Sequence, residues 1–506
     1  MKKVICLMLA FLMIISVASC ANPGPSQPET EEPTTEEPTT EEATTEEPTT
    51  EEPTTEEPTT EEPEEEEPEE EEPAAPAVFQ TGYSRQVITP NVPIGDYTAV
   101  HDDLYATCLA VYDGEKTALF ISIDIGSLMP DRCDEIRKMI QGNAQVPAEN
   151  IFISATHTHS AITYTEKKNG TWAKSILFPQ LIKAAKEAKA DLSDTEMHIG
   201  TGRTTGLAYV RRYVDDYGNY ASLAPNRPDD KTKPLIGTIK SAYEVTDDTL
   251  QVVRFVRDDK KDIVLTNWQG HLAHAENKWS DQISADIADV LRKDIEAEDD
   301  DALVIFFAGA SGNLNLTAPD HENGKVADYE AVGAALADIT IEVMKNLTKI
   351  ESGKINIKKE ICTVDNFKDD EATFKWAQDN TGSSSLTYLE QSKCDYILSR
   401  NGKPTTDIRI AAVSIGELAL ITAPYEMFDN NGKQIKDGSE FKMTLVLTNS
   451  DGAWAYVPSI EVWGNDGYGP DGYGGYEINA TSFAAGTAEK LVGEYIRMLR
   501  ELKGIQ

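Results

Sequence analysis

The sequence predicts an α/β domain of mixed sheets flanked by helices, covering residues 78–506 and preceded by a disordered stalk. Three observations predict it. Short apolar, β-branched runs alternate with helical patterns after residue 78. Residues 21–77 are low in complexity and poor in apolar side chains. The remaining chain is long enough to bury a sizeable core.

The individual elements follow from hydrophobic runs and from helical periodicity. The apolar, β-branched runs predict strands at 117–123, 151–155, 263–268, 303–307, 410–415, 418–422 and 443–448. The helical patterns predict helices at 132–141, 173–191, 281–297, 327–347 and 481–502. The segment 464–475 is rich in Gly, Tyr and Asp and predicts a surface loop, either a substrate lid or an exposed connection.

Residues 1–20 have the pattern of a secretory signal peptide. Lys2 and Lys3 precede an apolar run over 4–15, which is short for a membrane span, and small residues then lead to Cys20. That ending resembles the bacterial lipobox, which implies that Cys20 is lipidated; an ordinary signal peptide is the alternative. We therefore expect an extracytoplasmic protein on the cell surface that contacts the membrane through its lipid anchor only.

The stalk, residues 21–77, repeats Glu, Pro and Thr and carries 23 glutamates without any Lys, Arg or aromatic residue. Such a segment cannot offset chain entropy by burial, and like-charge repulsion extends it. It accounts for over half of the net charge of −41, and the remaining domain is acidic too. This charge argues against a nucleic-acid partner.

The cysteines of the domain do not form a metal-binding pattern. No Cys-x-x-Cys pair occurs, which argues against a cysteine-based zinc cluster, and the sequence leaves any disulfide pairing open. The four residues are Cys108, Cys133, Cys362 and Cys394.

Histidines and other polar residues follow several predicted strands. His157 and His159 come directly after the strand at 151–155, and on extended backbone their rings share one face. His271 follows the strand at 263–268, and polar residues also follow the next strands, including Glu426 and Tyr456. Ligand sites of α/β sheets lie beyond the carboxyl ends of strands. Two histidines, a carboxylate and an open water position would suit catalytic zinc.

These motifs resemble the catalytic domain of neutral, non-lysosomal ceramidases over nearly the whole domain and in family order. The Ala-Thr-His-Thr-His-Ser motif at 155–160 is the most specific of them. The others are Gly-Tyr-Ser at 82–84, Ile-Thr-Pro at 88–90, Phe-Ile-Ser-Ile-Asp at 120–124, Asn-Trp-Gln-Gly-His at 267–271, Ile-Ser-Ala-Asp at 283–286, the loop at 309–315, Pro-Tyr-Glu at 424–426, Tyr-Val-Pro at 456–458 and Gly-Tyr-Glu at 475–477.

The resemblance implies a site and a reaction. It implies a zinc ion held by His157, His271, Glu426 and Tyr456. It implies further that His159, Arg211 and Tyr476 move protons or stabilise the oxyanion, with Arg212 as the alternative to Arg211. The implied reaction is attack of zinc-activated water on an amide carbonyl.

The chain departs from the ceramidase pattern on the substrate side. Ala-Ile-Thr-Tyr at 161–164 replaces Gly-Pro-Gly-Gly, and Asn315 stands in the position of an active-site serine. The sequence to Gln506 is also expected to lack the family's C-terminal β-domain. We therefore expect a zinc amidohydrolase whose substrate is ceramide, another N-acyl lipid or a small molecule. The alternatives are a zinc hydrolase of a non-ceramide ester or amide, and a non-catalytic surface binding protein. No protein partner is inferred.

Overall fold

The structure is a computed structural model that describes residues 78–165, 168–215, 220–222, 239–242, 246–316, 328–386, 388–400, 402–463 and 476–505. The predicted signal peptide with Cys20, the predicted stalk and the loop at 464–475 lie outside the described residues.

The strands in chain order are β1 (Gln80–Val87), β2 (Ala99–Val100), β3 (Tyr105–Tyr112), β4 (Thr117–Ile123), β5 (Ile151–Ala155), β6 (Ser193–Arg203), β7 (Tyr209–Val210), β8 (Arg212–Asp215), β9 (Tyr220–Ser222), β10 (Ile239–Ala242), β11 (Thr249–Arg257), β12 (Asp262–Trp268), β13 (Gln282–Ile283), β14 (Ala302–Ala308), β15 (Leu314–Asn315), β16 (Thr348–Ile350), β17 (Ile355–Asp365), β18 (Thr405–Ile415), β19 (Leu418–Ala423), β20 (Glu426–Met427), β21 (Met443–Thr448) and β22 (Tyr456–Val457).

The α-helices are α1 (Pro130–Ala144), α2 (Gly170–Trp172), α3 (Phe178–Ala190), α4 (Ala275–Lys278), α5 (Ile287–Glu298), α6 (Tyr329–Met344), α7 (Glu371–Asn380), α8 (Tyr388–Arg400), α9 (Asp429–Asp437), α10 (Tyr476–Asn479) and α11 (Thr487–Leu502). A π-helical stretch, Ala173–Leu177, joins α2 to α3, and short 3-10 turns form at Ala148–Asn150 and Ile460–Val462.

The largest sheet has nine strands in the order β14-β12-β11-β6-β1-β3-β4-β5, with β16 paired beside β6. The pairs at its two ends, β4 with β5 and β12 with β14, are parallel, whereas the pairs between them are antiparallel. Ser122 on β4 donates a hydrogen bond to the carbonyl of Phe306 on β14 at 2.6 Å. The sheet is therefore curved enough for its opposite ends to meet.

A second sheet, in the order β17-β18-β19-β21, packs face to face on the first. The apolar side chains between the two sheets include Phe120, Phe152, Phe255 and Phe307 from the first sheet, and Val413, Leu420 and Leu445 from the second. Because β4, β5, β19 and β21 are covered on both faces, these strands are buried along almost their whole length and are predominantly apolar in sequence.

Helices cover the outer faces of both sheets. The core clusters place α1 and α3 over the β1–β5 end of the large sheet, and α5 and α6 over the β11–β14 end. Helix α11 covers the second sheet with one apolar stripe. Its buried positions, Leu491, Val492, Tyr495, Met498 and Leu499, follow the helical repeat. The predicted class, mixed sheets flanked by helices in an α/β domain, is therefore confirmed.

Most predicted elements are present, but two helices begin later than predicted. Helix α11, predicted over 481–502, begins only at Thr487. The helix predicted over 281–297 begins only at Ile287, because Asp286 has a φ of 57° and caps the helix by accepting from the Ile287 N–H at 2.7 Å. The preceding pair, Gln282–Ile283, forms a parallel bridge with Ala99–Val100 instead. The sequence does not predict the long strands β1, β3, β6, β11 and β17.

Two further findings concern membranes and thiols. Within the described part of the chain, no helix combines the length and the apolar character needed to cross a bilayer. The thiols of Cys108, Cys133, Cys362 and Cys394 are buried and free.

Candidate metal centre

His157 is placed by a sharp turn after β5, the last strand in the order of the large sheet. Its backbone lies in the left-handed region, with a φ of 65°, which is uncommon for a residue with a side chain. The turn is fixed because the N–H groups of Thr156 and His157 donate to the carbonyls of Ile123 and Ile125, at 2.9 and 3.1 Å. Backbone strain of this kind is frequent at functional sites.

His271 follows β12 through Gly270, and only glycine fits there. A Cβ on Gly270 would lie 1.8 Å from the ring of Trp268, which is itself buried. The chain can therefore fold back over the indole and direct His271 toward His157. The imidazole of His271 is 1% exposed, whereas His159 is exposed and lies at the open side of the site.

The imidazoles of His157, His159 and His271 converge, and their nitrogens all lie within 4.8 Å of one another. Nε2 of His159 lies 3.4 Å from Nε2 of His157 and 3.1 Å from Nε2 of His271. Two nitrogens on one tetrahedral zinc ion, each about 2.0–2.1 Å from it, would be about 3.3–3.4 Å apart. The spacing of the three rings is thus that of groups that could share a metal ion.

Backbone carbonyls fix the second ring nitrogen, Nδ1, of both His157 and His271. Nδ1 of His157 lies 2.5 Å from the carbonyl oxygen of Gly126, and Nδ1 of His271 lies 3.0 Å from that of Ser311. A carbonyl only accepts, so each Nδ1 carries the hydrogen. In the neutral ring, Nε2 then presents a lone pair to the cluster, as a metal ligand requires.

The two buried histidines have opposite electrostatic environments. Burial alone would lower the pKa of His157, but the Glu426 carboxylate outweighs it and the pKa is raised. Burial lowers the pKa of His271 well below its ordinary value, and the positive charge of Arg211 acts in the same direction. His271 is therefore neutral at physiological pH and available as a ligand.

Glu426 and Tyr456 are adjacent in a short parallel bridge between β20 and β22. Oε2 of Glu426 lies 3.4 Å from Nε2 of His157, and this buried oxygen accepts no hydrogen bond within the described residues. A buried carboxylate oxygen without a donor is costly, and a cation would satisfy it. Tyr456 is 4% exposed and its ring faces the guanidinium of Arg211, with 5.5 Å between Cζ and the ring centroid.

The loop after β14 connects the histidine cluster to Arg211, because its backbone carbonyls accept hydrogen bonds from both His271 and Arg211. The carbonyl of Gly312 accepts from Nη2 of Arg211 at 2.6 Å, next to the Ser311 carbonyl that holds His271. Asn313 and Asp429 exchange two hydrogen bonds, at 2.8 and 2.9 Å, which tie this loop to the segment that carries Glu426.

The structure brings most of the predicted site residues together. His157, His159, His271, Glu426, Arg211 and Tyr456 form one cluster through the contacts given above. Arg212 is buried as well, but the contacts with Tyr456 and Gly312 belong to Arg211. The backbone of Tyr476 begins α10; its side chain lies outside the described residues. Asn315 accepts a hydrogen bond from the hydroxyl of Tyr213 at 3.0 Å.

Several site residues were missed because they act through backbone atoms or from a distance in sequence. The carbonyls of Gly126, Ser311 and Gly312 carry no side-chain signal at all. Glu477 is fully buried and pairs with Arg211 across 266 residues, whereas the sequence shows it only as part of the Gly-Tyr-Glu motif.

Asp102 supports the turn that carries His157 and His159, and it does so through Ser284 and Ala285. Its carboxylate accepts from the Ser284 hydroxyl and the Ala285 N–H, both at 2.6 Å. The backbone of Ser284 in turn bonds the turn itself, donating to the Ser160 carbonyl and accepting from the Thr158 hydroxyl, each at 2.8 Å. Burial raises the pKa of Asp102 to about 7.

Asp102→Ala is expected to lower the free energy of unfolding by about 1–3 kcal/mol, because two buried donors lose their acceptor. A carboxyl whose pKa is raised on folding stabilises the protein most when it is protonated, and this contribution declines as pH rises toward 7. Urea unfolding of both proteins with chelator present should therefore show a larger deficit at pH 5 than at pH 8.5. A deficit independent of pH would contradict the assignment.

One substitution distinguishes the role of His159 from the ligand role expected of His157 and His271. If the cluster holds a catalytic metal ion, His159→Ala is expected to retain that ion within about tenfold of the parent affinity, while kcat falls about 10²–10⁴-fold, as for loss of a general acid or base. Metal analysis and steady-state kinetics on the same preparations test this. Loss of the ion from the variant would instead make His159 a ligand.

The fold is that of the neutral ceramidase catalytic domain. A solved structure described as a ceramidase complexed with C2 superposes with a TM-score of 0.58 and 13% sequence identity, covering 85% of this chain and 76% of that one. The neutral ceramidase from Pseudomonas aeruginosa gives a TM-score of 0.57 and 15% identity, covering 85% and 75%. No protein-family model matches the sequence, and neither does any curated protein.

Proposed function

We propose that this chain is a zinc-dependent hydrolase that cleaves the amide bond of an N-acyl lipid such as ceramide. The observation that carries the proposal is the convergence of His157, His159 and His271 beside the buried Oε2 of Glu426, which accepts no hydrogen bond from the described residues. The shared fold with solved ceramidases supports the choice of substrate class.

The donor set suits zinc. Neutral imidazoles with one carboxylate are typical ligands of catalytic zinc, whereas magnesium and calcium prefer all-oxygen sites. His157, His271 and Glu426 would hold the ion with Tyr456 beside them. A zinc ion in such a site lowers the pKa of water to about 7 and polarises a carbonyl.

The remaining residues have roles that their positions allow. His159, at the open side of the cluster, would accept a proton from the attacking water and return it to the leaving amine. The Arg211 guanidinium, fixed at Gly312 and Glu477, would stabilise negative charge on the carbonyl oxygen. The ceramidase resemblance, rather than a described position, assigns to Tyr476 a second hydrogen bond to that oxygen. The buried neighbours exclude bulk water and strengthen these interactions.

The proposed location is the outer surface of the cytoplasmic membrane. Lipidation at Cys20 would anchor the chain, and the acidic segment 21–77 would extend between anchor and domain. An acidic domain has no electrostatic attraction to anionic lipids, so the anchor alone would provide membrane contact.

The test is metal analysis combined with a substrate panel. The purified chain is expected to contain about one zinc per molecule and to release fatty acid from a short-chain ceramide. Matched N-acyl amino acids and an ester of the same acyl length complete the panel. Absence of zinc together with absence of hydrolysis on every substrate would refute the proposal.

A second candidate is hydrolysis of a non-ceramide ester or amide at the same site. Two substrate-side features favour it. Ala161, Ile162 and Tyr164 are buried in the core cluster of α1 and α3, where ceramidases have Gly-Pro-Gly-Gly. Asn315 is bonded to Tyr213 at the position of the family serine. Zinc-dependent cleavage of other panel members, with ceramide untouched, would select this candidate.

A further inference from the structure

A buried ion pair lies directly behind the histidine cluster. Nε of Arg211 donates to Oε1 of Glu477 at 2.7 Å, and the two side chains are 7% and 1% exposed. The bond from Nη2 to the Gly312 carbonyl is a second contact that holds the guanidinium. Glu477 therefore contributes to fixing where the charge of Arg211 lies.

That charge acts on the candidate metal ligands. The loop after β14 places that charge beside the cluster, because its Gly312 carbonyl accepts from Nη2 of Arg211 and the adjacent Ser311 carbonyl accepts from Nδ1 of His271. The Arg211 guanidinium also faces the ring of Tyr456. A cation at this place would repel a divalent metal unless a nearby carboxylate offset it.

Stability alone does not account for this pair. Arg292 with Asp124 and Arg400 with Asp369 are bidentate, so both carboxylate oxygens are used. Glu477 uses one oxygen only, and its Oε2 is buried and accepts no hydrogen bond from the described residues. Burying an incompletely bonded ion pair adds little net stability.

We propose that Glu477 is a positioning residue with two effects on the site. It holds the Arg211 guanidinium beside the three imidazoles, and it offsets the Arg211 charge so that a divalent metal can bind there. The first effect rests on the hydrolase function proposed above. The second concerns metal affinity and does not depend on any substrate.

The test is Glu477→Gln in the full chain, which keeps the size of the side chain and removes its charge. Zinc affinity, measured by competition with a chelator, is expected to fall about 10–100-fold, as for loss of an outer-shell partner. On the substrate that the parent cleaves, kcat is expected to fall about 10²-fold with little change in KM.

The control is Asp262→Asn, which removes the charge from a comparable pair. Nε of Arg254 donates to Oδ2 of Asp262 at 2.7 Å, at the start of β12 and thus at the opposite end of the strand from His271. Zinc affinity and kcat of this variant are expected to stay within about twofold of the parent.

A double variant separates an electrostatic role from a merely structural one. If Glu477 offsets the charge of Arg211, adding Arg211→Met to Glu477→Gln should restore zinc affinity to within about threefold of the parent while kcat stays low. Circular dichroism confirms folding of each variant.

The outcomes are distinguishable. The inference is overturned if folded Glu477→Gln has the zinc affinity and the kcat of the parent. The same holds if only its melting temperature is lowered while both quantities are unchanged. Failure of the double variant to recover zinc affinity would overturn it as well. If the parent cleaves no substrate but Glu477→Gln still weakens zinc binding and the double variant restores it, the proposed function fails and the charge-offset role stands.

Discussion

His271→Ala is expected to remove the bound metal and to lower hydrolytic activity at least about 10³-fold. The ring is 1% exposed, and its Nδ1 is fixed by the Ser311 carbonyl. A water molecule cannot take the place of this buried imidazole as a ligand in the same geometry. Without the metal, no water is activated for attack. Zinc content and the initial rate on the best panel substrate measure both effects.

His271 is a better choice than His157 for this experiment. His157 has a positive φ, so an alanine there would add backbone strain to the loss of a ligand. The matched control is His198→Ala on β6, whose imidazole pairs with Glu196 at 3.5 Å and lies outside the cluster. We expect the control to keep zinc and activity. A zinc-free His271→Ala that still hydrolyses the substrate would exclude metal-dependent chemistry.

The strands of the fold could be predicted where both faces are covered. Strands β4, β5 and β21 agree residue for residue with the prediction, because burial on both faces leaves an uninterrupted apolar run. Strands β6 and β17 could not be predicted, because most of their residues are exposed or only partly buried and their pattern is mixed. Their place is decided by partners far away in sequence.

The site could be predicted as a set of side chains but not as an arrangement. His157, His271 and Glu426 follow strands that the sequence shows, and the structure places their rings and carboxylate together. What fixes them is backbone: the carbonyls of Gly126 and Ser311, which any residue type would supply. Sequence patterns cannot show such contacts, because they depend on how the loops fold.

One residue of the connecting loop does carry a sequence signal, because only glycine fits at position 312. A Cβ on Gly312 would lie 2.8 Å from the carbonyl oxygen of Glu426 and 3.0 Å from that of Met427. These are backbone atoms, which cannot rotate away as a side chain could. The Gly312 N–H also donates to the Met427 carbonyl at 2.8 Å, so the loop is held at the point of contact.

Gly312→Ala is therefore expected to lower kcat/KM at least about 10²-fold, since displacement of this loop moves three groups of the site together. Its Ser311 carbonyl holds His271, its Gly312 carbonyl holds Arg211, and its opposite side contacts Glu426. Misplacement by about 1 Å is enough for such a loss. Zinc affinity should fall as well, and both are measured on the folded fraction.

The matched control is Gly493→Ala in the middle of α11, where a Cβ would meet nothing within 4 Å. That change should leave activity intact and raise the free energy of unfolding by about 0.5–1 kcal/mol, because alanine favours the helix. Parent-like kcat/KM in Gly312→Ala would mean that the loop can move without disturbing the three groups. In that case the imidazoles and Glu426 would be held by their strands rather than by the 309–313 connection.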